Sequence, residues 1–332
     1  MPTAAVTLSL SGRFARQGAH AAAGLRLWAA AAGVRLLLVD DGGAGQWARR
    51  AYAGWLGDRD VELLLGPYGS GLVRAVAPLV CGAGRLLWNH GGSSDELARA
   101  GLVSLPAPAS SYFHGVVDHA AGRAERLLVV HGPGRFARAV AAGATARAAA
   151  RRVDAHAVPL GAPVAADGAA VAVLVAGSFD QDVALVRQLR RGPRPPALLA
   201  AVAAGLPAFG AELGDAAEGV LGPVQWWPSP DQPQVGPSGT DFAARYRSTH
   251  HAEPSYVAAQ AAAAGYLAHA AHALGLAADQ VRGWATSSLL GRFALDAGWR
   301  QVGHRVTTIA WRGGRMTPLA GGATGRAGVG LQ

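Results

Sequence analysis

The stretch that decides the fold is Leu63-Leu64-Leu65-Gly66-Pro67-Tyr68-Gly69-Ser70-Gly71. Its three leucines predict a short buried strand, and the glycine-rich turn after them delivers a hydroxyl group to the start of a helix. The free N–H groups and the dipole of such a helix end favour an anionic or strongly polar oxygen. Ser70 can point into a crevice at the carboxyl end of the strand, or it can serve only as a helix cap. The sequence leaves both roles open.

A second turn of the same kind follows the next predicted strand and reads Trp88-Asn89-His90-Gly91-Gly92-Ser93-Ser94. Asn89 is the only asparagine in the chain, and its amide can donate and accept hydrogen bonds together. The two glycines permit a close approach to the backbone, and Ser93 adds a hydroxyl group. The alternative is an ordinary loop capped by Ser93 or Ser94. Two such turns in neighbouring units favour a ligand site more than either turn alone.

The organisation of the chain follows from the alternation of short apolar runs with helical periodicity up to residue 105. This alternation predicts an α/β fold with a parallel sheet covered by helices on both faces. Pro106-Ala107-Pro108 interrupts the pattern, which then restarts, and a second break follows at Trp226-Trp227-Pro228-Ser229-Pro230. We therefore expect two lobes. Further expectations are a short helix over residues 94–100, a helix over residues 279–289 and a C-terminal hairpin around Gly313-Gly314.

The composition excludes several kinds of chemistry. The 332 residues are 51% hydrophobic and 15% charged, with 30 basic and 21 acidic residues and a net charge of +9. All basic residues are arginine, so Schiff-base and phosphate-loop lysines are excluded. The arginines occur singly or in pairs and form no basic stripe, which argues against a nucleic-acid partner.

Metal, catalytic and membrane motifs are also missing from the sequence. Cys81 is alone, so there is no internal disulfide and no thiolate zinc site. His269 and His272 share a predicted helix face but lack the carboxylate of a zinc motif, and we interpret them as packing or surface residues. No GxSxG or GxGxxG motif occurs, so no catalytic residue, metal or cofactor is assigned. No apolar run is long enough to span a membrane.

An ordered set of segments resembles the type I periplasmic-binding-protein superfamily, in particular its branched-chain amino acid and amide-binding branch. The resemblance runs from about residue 4 to residue 319. The segments that carry it are Leu8-Ser9-Leu10-Ser11-Gly12 with Gln17-Gly18, Asp40-Asp41, Leu65-Gly66-Pro67-Tyr68-Gly69-Ser70 with Pro78, Asp215-Ala216-Ala217-Glu218-Gly219-Val220, and the group Phe242, Tyr246, Pro254, Tyr256 with residues 258–266.

The resemblance implies two Rossmann-like lobes, each a parallel sheet flanked by helices, joined by a three-crossover hinge. On this basis lobe 1 comprises residues 1–108 and 228–290, and lobe 2 comprises residues 109–227 and 291–332. The hinge segments lie near residues 106–110, 225–230 and 288–294. Leu/Ile/Val-binding proteins of this kind close on a ligand held between the lobes.

The resemblance also implies roles for individual residues. Ser70, helped by backbone amides such as that of Gly69, would bind the carboxylate or amide oxygen of the ligand. Ser93 would give a second hydroxyl contact, and the Gly91 carbonyl would meet an amine. The other expected ligand-binding positions are Gln17 and Phe14 at the mouth, Tyr68 and Asn89 beside the turns, Phe179 from the second lobe, and Trp226 as an apolar wall or as hinge packing.

One departure from the family pattern concerns the ligand's charge. Amino-acid binders carry an acidic residue after the strand at residues 197–201, whereas this chain continues Val202-Ala203-Ala204-Gly205. A buried ammonium without a counter-charge costs roughly several kcal/mol. An amide, an aromatic or aliphatic carboxylate or another neutral ligand therefore fits better than a free α-amino acid.

The leading hypothesis is a non-enzymatic solute-binding protein that captures a small carboxylate- or amide-bearing ligand for an ABC-type importer, with a permease as its partner. The alternatives are a cytoplasmic sensor of an amide-type ligand and, more distantly, an enzyme on a Rossmann scaffold. We expect an extracytoplasmic location if a signal sequence was trimmed, and a cytoplasmic one if Met1 is the native start.

Overall fold

The computed structural model describes residues 1–163 and 170–319. In the first 109 residues, apolar strands alternate with helices as the periodicity predicts. The elements are β1 (Thr3–Leu8), α1 (Ala15–Ala32), β2 (Arg35–Asp40), α2 (Gly45–Leu56), β3 (Leu63–Leu65), α3 (Ser70–Gly82), β4 (Leu87–Asn89) and β5 (Leu102–Ser104). The five strands form one parallel sheet in the order β2-β1-β3-β4-β5.

The middle of the chain builds a second α/β arrangement. Its elements are α4 (His114–Ala120), β6 (Arg126–His131), α5 (Arg135–Ala150), β7 (Asp154–Pro159), β8 (Val171–Ala176), α6 (Phe179–Arg191), β9 (Leu198–Ala201), α7 (Pro207–Leu213) and β10 (Leu221–Val224). Strands β6 to β10 pair in parallel.

The remaining elements of the described chain are three helices and two hairpins. They are α8 (Gly239–His250), α9 (Tyr256–Ala273), α10 (Ala278–Gly283), the hairpin β11 (Thr286–Ser288) and β12 (Gly291–Phe293), and the hairpin β13 (Thr307–Arg312) and β14 (Arg315–Pro318). The second hairpin joins β10 in antiparallel fashion and gives a seven-stranded sheet in the order β14-β13-β10-β9-β8-β6-β7.

The chain divides into two compact units. The first consists of residues 1–109 and 225–305, and the second begins at Ser110, runs to Val224 and resumes at Val306. The third boundary lies later than the predicted one, so residues 291–305 belong to the first unit and not to the second. The physical reason is that β12 pairs with β11, while the buried Gln301 amide donates to the carbonyl of Leu105 on the first sheet (3.4 Å).

Some predicted elements differ from the structure. The helix expected over residues 94–100 is a 3₁₀ turn at Asp95–Leu97, and the helix expected over residues 279–289 ends at Gly283. Strand β11 follows it, because its Thr-Ser-Ser sequence pairs with β12. Helices α4 and α7 and strand β7 were not predicted. Strand β7 is an exposed edge strand without the apolar run that marks a buried strand.

The core of the first unit depends on the close packing of α1 against α9. Helix α9 is rich in alanine and buried along nearly its whole length. A Cβ at Gly24 on α1 would lie 2.0 Å from the carbonyl oxygen of Ala258, and a Cβ at Gly265 would lie 2.2 Å from the Trp28 ring. These contacts require residues without side chains, because the two helix backbones approach so closely.

Replacing Gly24 tests this packing. We expect Gly24→Ala to lower the free energy of unfolding by about 1–3 kcal/mol, since the added methyl group overpacks the contact with α9. The matched control is Gly54→Ala on α2, where a Cβ meets nothing within 4 Å. That substitution should raise the stability by up to about 1 kcal/mol through helix propensity. Denaturant unfolding curves measure both, and equal effects of the two substitutions would contradict the packing.

Candidate functional site

The turn between β3 and α3 presents unused hydrogen-bond donors. Gly69 precedes the helix with φ +103°, a conformation that favours glycine, and Ser70 is the first helical residue. Within the described residues, the N–H groups of Ser70 and Gly71 meet no acceptor. They lie at the positive end of the helix dipole, at the carboxyl end of a buried strand. This geometry suits an incoming carboxylate or carbonyl oxygen.

Ser70 does not cap its own helix, so the cap interpretation was wrong. Its Oγ instead accepts hydrogen bonds from the backbone N–H groups of Ser93 (3.2 Å) and Ser94 (3.1 Å). The oxygen therefore ties the second turn to the first, while the hydroxyl hydrogen can still donate to a further acceptor. Ser70 is half-buried.

Asn89 has a structural role, in contrast to the predicted contact with a ligand. The side chain is fully buried, and its Oδ1 accepts from the N–H groups of Gly91 (3.1 Å) and Gly92 (2.7 Å). Its Nδ2 donates to the Gly92 carbonyl (2.6 Å) and to the Ser104 hydroxyl (2.9 Å). The amide is thereby fully hydrogen-bonded within its own turn, which it shapes, and it has nothing left to offer a ligand.

Gly91 holds the two turns against each other. A Cβ at this position would lie 2.5 Å from the Tyr68 Cα, and the Gly91 carbonyl accepts from the Gly69 N–H (3.0 Å). The carbonyl predicted to meet an amine is thus already engaged by the first turn. The Ser93 side chain is half-buried beside this contact, and the Ser93 carbonyl accepts from the Ala109 N–H (2.6 Å).

Aromatic side chains lie next to the first turn. Phe14 and Tyr68 pack edge to face with their ring centroids 6.0 Å apart, and the Arg13 guanidinium lies 5.2 Å from the Phe14 centroid. Phe14 also lies over Gly69, at 3.4 Å from a Cβ built there. Burial, followed by the effects of the neighbouring Tyr68, raises the pKa of Tyr256 well above its ordinary value, so the Tyr256 phenol is neutral.

Gln17 lies on the first turns of α1 and is half-buried. Its amide makes no hydrogen bond to the residues that the structure describes. All five predicted positions thus lie in the first unit, where Phe14 and Gln17 follow β1 and Tyr68, Gly69 and Ser70 follow β3.

A small cavity of about 30 Å³ adjoins the second turn within the first unit. Its lining includes residues 92–95, Ser104 and Pro106, and the loop Trp299-Arg300-Gln301 closes its other side. A cavity of this volume has room for an ordered water molecule. Within the second turn, His90 is fully buried. Burial lowers its pKa to about 4, so its imidazole is neutral at neutral pH.

Trp226 lies in the core of the first unit, which contradicts its assignment as a ligand wall. It is 6% exposed, packs edge to face on Phe242 and donates its indole N–H to the Leu289 carbonyl (3.0 Å). Phe179, the first residue of α6 in the second unit, is half-buried.

Sequence reasoning missed Asp182, a buried carboxylate of the second unit. It is 1% exposed, and its two oxygens accept from the N–H groups of Gly177 (2.6 Å) and Ala203 (2.9 Å). These donors belong to the segments that follow β8 and β9. Burial raises the pKa of Asp182 to about 7, against the opposing effect of the two N–H groups. The available signal was an acidic residue on an apolar helix face.

Asp182 makes the stability of the protein depend on pH. Its pKa in the folded state lies above that of an unfolded aspartate, so its stabilising contribution is complete below about pH 4 and is lost as the pH rises through 7. Between pH 5 and pH 8 we expect the wild type to lose roughly 1–4 kcal/mol relative to Asp182→Asn. Denaturant unfolding at a series of pH values measures this difference, and parallel pH profiles would refute it.

Among the described residues, no three His, Cys, Asp or Glu side chains converge as a metal site requires. None of the helices within residues 1–163 and 170–319 has the length and apolar character needed to cross a bilayer.

Comparison with known proteins places this geometry in a family. The sequence profile described as "Periplasmic binding protein" matches residues 3–282. No curated protein sequence matches the chain.

Solved structures show the same fold at low sequence identity. A leucine binding protein, LivK, from Thermotoga maritima is 16% identical, with 96% of this chain and 98% of that chain covered and a TM-score of 0.79. LivJ from Streptococcus pneumoniae, in complex with isoleucine, is 17% identical over 95% and 97% of the chains, with a TM-score of 0.78. A solute binding protein of an ABC transporter from R. palustris, in complex with benzoate, is 16% identical over 96% and 95%, with a TM-score of 0.74. The chain belongs to the periplasmic binding protein family.

Proposed function

We propose that this protein is a non-enzymatic solute-binding protein that captures a small ligand bearing a carboxylate or amide. The observation that carries the proposal is the pair of unused N–H groups at Ser70 and Gly71, together with the Ser70 hydroxyl hydrogen. Three donors converge on one place at a helix N-terminus, where a carboxylate or carbonyl oxygen is stabilised. The carboxylate is also the group common to leucine, isoleucine and benzoate, the ligands named for structural neighbours.

The ligand in this proposal carries no ammonium group. The segment after β9 contributes no acidic side chain. The nearest buried acid, Asp182, accepts from two backbone N–H groups, and burial raises its pKa to about 7, which disfavours the charged form that an ammonium needs. The Gly91 carbonyl, the acceptor expected for an amine, is already engaged by Gly69. An ammonium would therefore be desolvated without a counter-charge.

The rest of the proposal concerns the second unit and the partner. Phe14 and Tyr68 provide an aromatic rim for the apolar part of the ligand, and the second unit closes over it by hinge motion, with Phe179 as a contact. The closed form is recognised by the permease of an ABC-type importer, outside the cytoplasm, as family membership suggests. No cofactor or metal takes part.

A matched set of ligands tests the ligand class. We expect 4-methylpentanoate and benzoate, or their amides, to bind more tightly than leucine, because leucine adds only an ammonium to the first of these. Isothermal titration calorimetry gives each affinity. Tighter binding of leucine would refute the claim that the ligand carries no ammonium group. If no acid, amide or amino acid binds, the proposed function is refuted.

The role of Ser70 has its own test. We expect Ser70→Ala to weaken binding of the tightest-binding ligand by about 1–3 kcal/mol, because the ligand's oxygen loses one hydrogen-bond donor. Ser70→Thr keeps the hydroxyl group and should retain most of the affinity. The matched control is Ser9→Ala, which removes a buried hydroxyl that donates to Asp41 (2.6 Å) in the first loop of the same sheet. The control should lower stability without a comparable loss of affinity. Wild-type affinity in Ser70→Ala would mean that the ligand binds elsewhere.

A further inference from the structure

The chain passes between its two units three times, after Ala109, after Val224 and after Arg305. On the first-unit side of these crossings lie Ala107, Gln225 and His304, each within two residues of its crossing. The three residues are buried and belong to the first unit. Hydrogen bonds connect them to one another, so three segments far apart in sequence meet in one polar cluster.

Gln225 is the centre of this cluster. Its side chain is 2% exposed, its Oε1 accepts from the Ala107 N–H (3.0 Å), and its Nε2 donates to the Ala107 carbonyl (3.2 Å). The two bonds to one residue fix the orientation of the amide, because a flipped amide would put donor against donor and acceptor against acceptor. The second crossing segment is thereby locked to the first.

His304 connects the third crossing segment to this amide. Its Nε2 lies 3.0 Å from the Gln225 Oε1, and its Nδ1 lies 2.9 Å from the Leu290 carbonyl oxygen. Burial lowers the pKa of His304 to about 4, so at neutral pH the ring has one N–H for these two oxygens. Among the described residues, no charged side chain contributes to this shift, and the nearby Asp296 carboxylate accepts from the backbone N–H groups of Gly298 and Arg300.

Three further hydrogen bonds connect the same segments. The Gln301 Nε2 donates to the Leu105 carbonyl (3.4 Å), while its Oε1 accepts from the His304 N–H (3.2 Å). The Trp226 indole donates to the Leu289 carbonyl (3.0 Å). Buried amides and imidazoles are costly unless hydrogen-bonded, so these groups favour one mutual arrangement of the three segments over others that would leave them unpaired.

We propose that Gln225 and His304 are positioning residues that clamp the three crossing segments together and thereby set how readily the protein adopts its ligand-closed form. The closure step rests on the proposed function. Neither residue contacts the ligand in this proposal. Hinge motion between the units must take place in these crossing segments. The hydrogen bonds of Gln225 and His304 therefore limit the backbone conformations that the segments can adopt. The measured ligand affinity depends on the fraction of molecules that can reach the ligand-closed form.

Distance measurements on the ligand-free protein test the clamp directly. In a Cys81→Ser background, spin labels at Ala30→Cys on α1 and Ala146→Cys on α5 occupy exposed positions, one in each unit. We expect Gln225→Leu and His304→Phe to shift or broaden the distance distribution between the labels in double electron–electron resonance. Val80→Ala is the matched control, because it leaves a cavity in the core around α3, away from the crossings and from both labelled helices, and should leave the distribution unchanged. If both clamp variants give the wild-type distribution, the proposal is overturned.

Measurements of ligand affinity distinguish an effect on closure from direct contact with the ligand and from a loss of protein stability. The two clamp variants should change the affinity for every ligand that binds by one common factor, about 5-fold or more, leaving the ratios between ligands unchanged. Altered ratios would place the residues in the pocket and overturn the proposal. If Gln225→Leu fails to fold, Gln225→Met and His304→Phe provide the same readouts. A shifted distance distribution in a protein that binds none of the ligands supports the clamp and refutes only the proposed function.

Discussion

The candidate site depends on the close approach of two turns, which the absence of a side chain at Gly91 allows. A Cβ there would overlap the Tyr68 backbone at 2.5 Å. With glycine in place, the Gly91 carbonyl receives the Gly69 N–H, and Ser70 comes within reach of the N–H groups of the second turn. The turns are therefore joined by hydrogen bonds, and the N–H groups that remain without an acceptor in the described chain are those of Ser70 and Gly71 at the start of α3.

The periodicity of the sequence was sufficient to predict the α/β class and most element positions. Helices α1 and α6 and strand β8 have the bounds that their apolar spacing indicates, because each buries a regular apolar face. The failures occur where tertiary contacts outweigh local pattern. Strand β11 exists because it pairs with β12, and residues 291–305 belong to the first unit because of contacts that the local sequence does not reveal, such as the bond from Gln301 to Leu105.

The position of the candidate site could be predicted from the sequence, but the roles of its individual residues could not. Glycine-rich turns after strands indicated where donors gather, since that follows from helix ends and sheet topology. Sequence reasoning could not decide which polar groups remain unused after folding. Asn89 has the chemistry of a ligand-binding amide, yet all its hydrogen-bonding capacity is consumed by its own turn and Ser104. Trp226 has the chemistry of an apolar wall, yet the core encloses it.

Asp182 shows why charge alone does not identify a counter-ion. The chain fold brings this acid to the carboxyl ends of β8 and β9, where an ammonium would need a carboxylate, but its oxygens already receive the Gly177 and Ala203 N–H groups. Burial raises the pKa of Asp182 to about 7, so its ionised form is costly, and the two N–H groups hold the side chain in place. An acidic residue at the ends of two strands can thus contribute rigidity and still be a poor counter-ion for a cation.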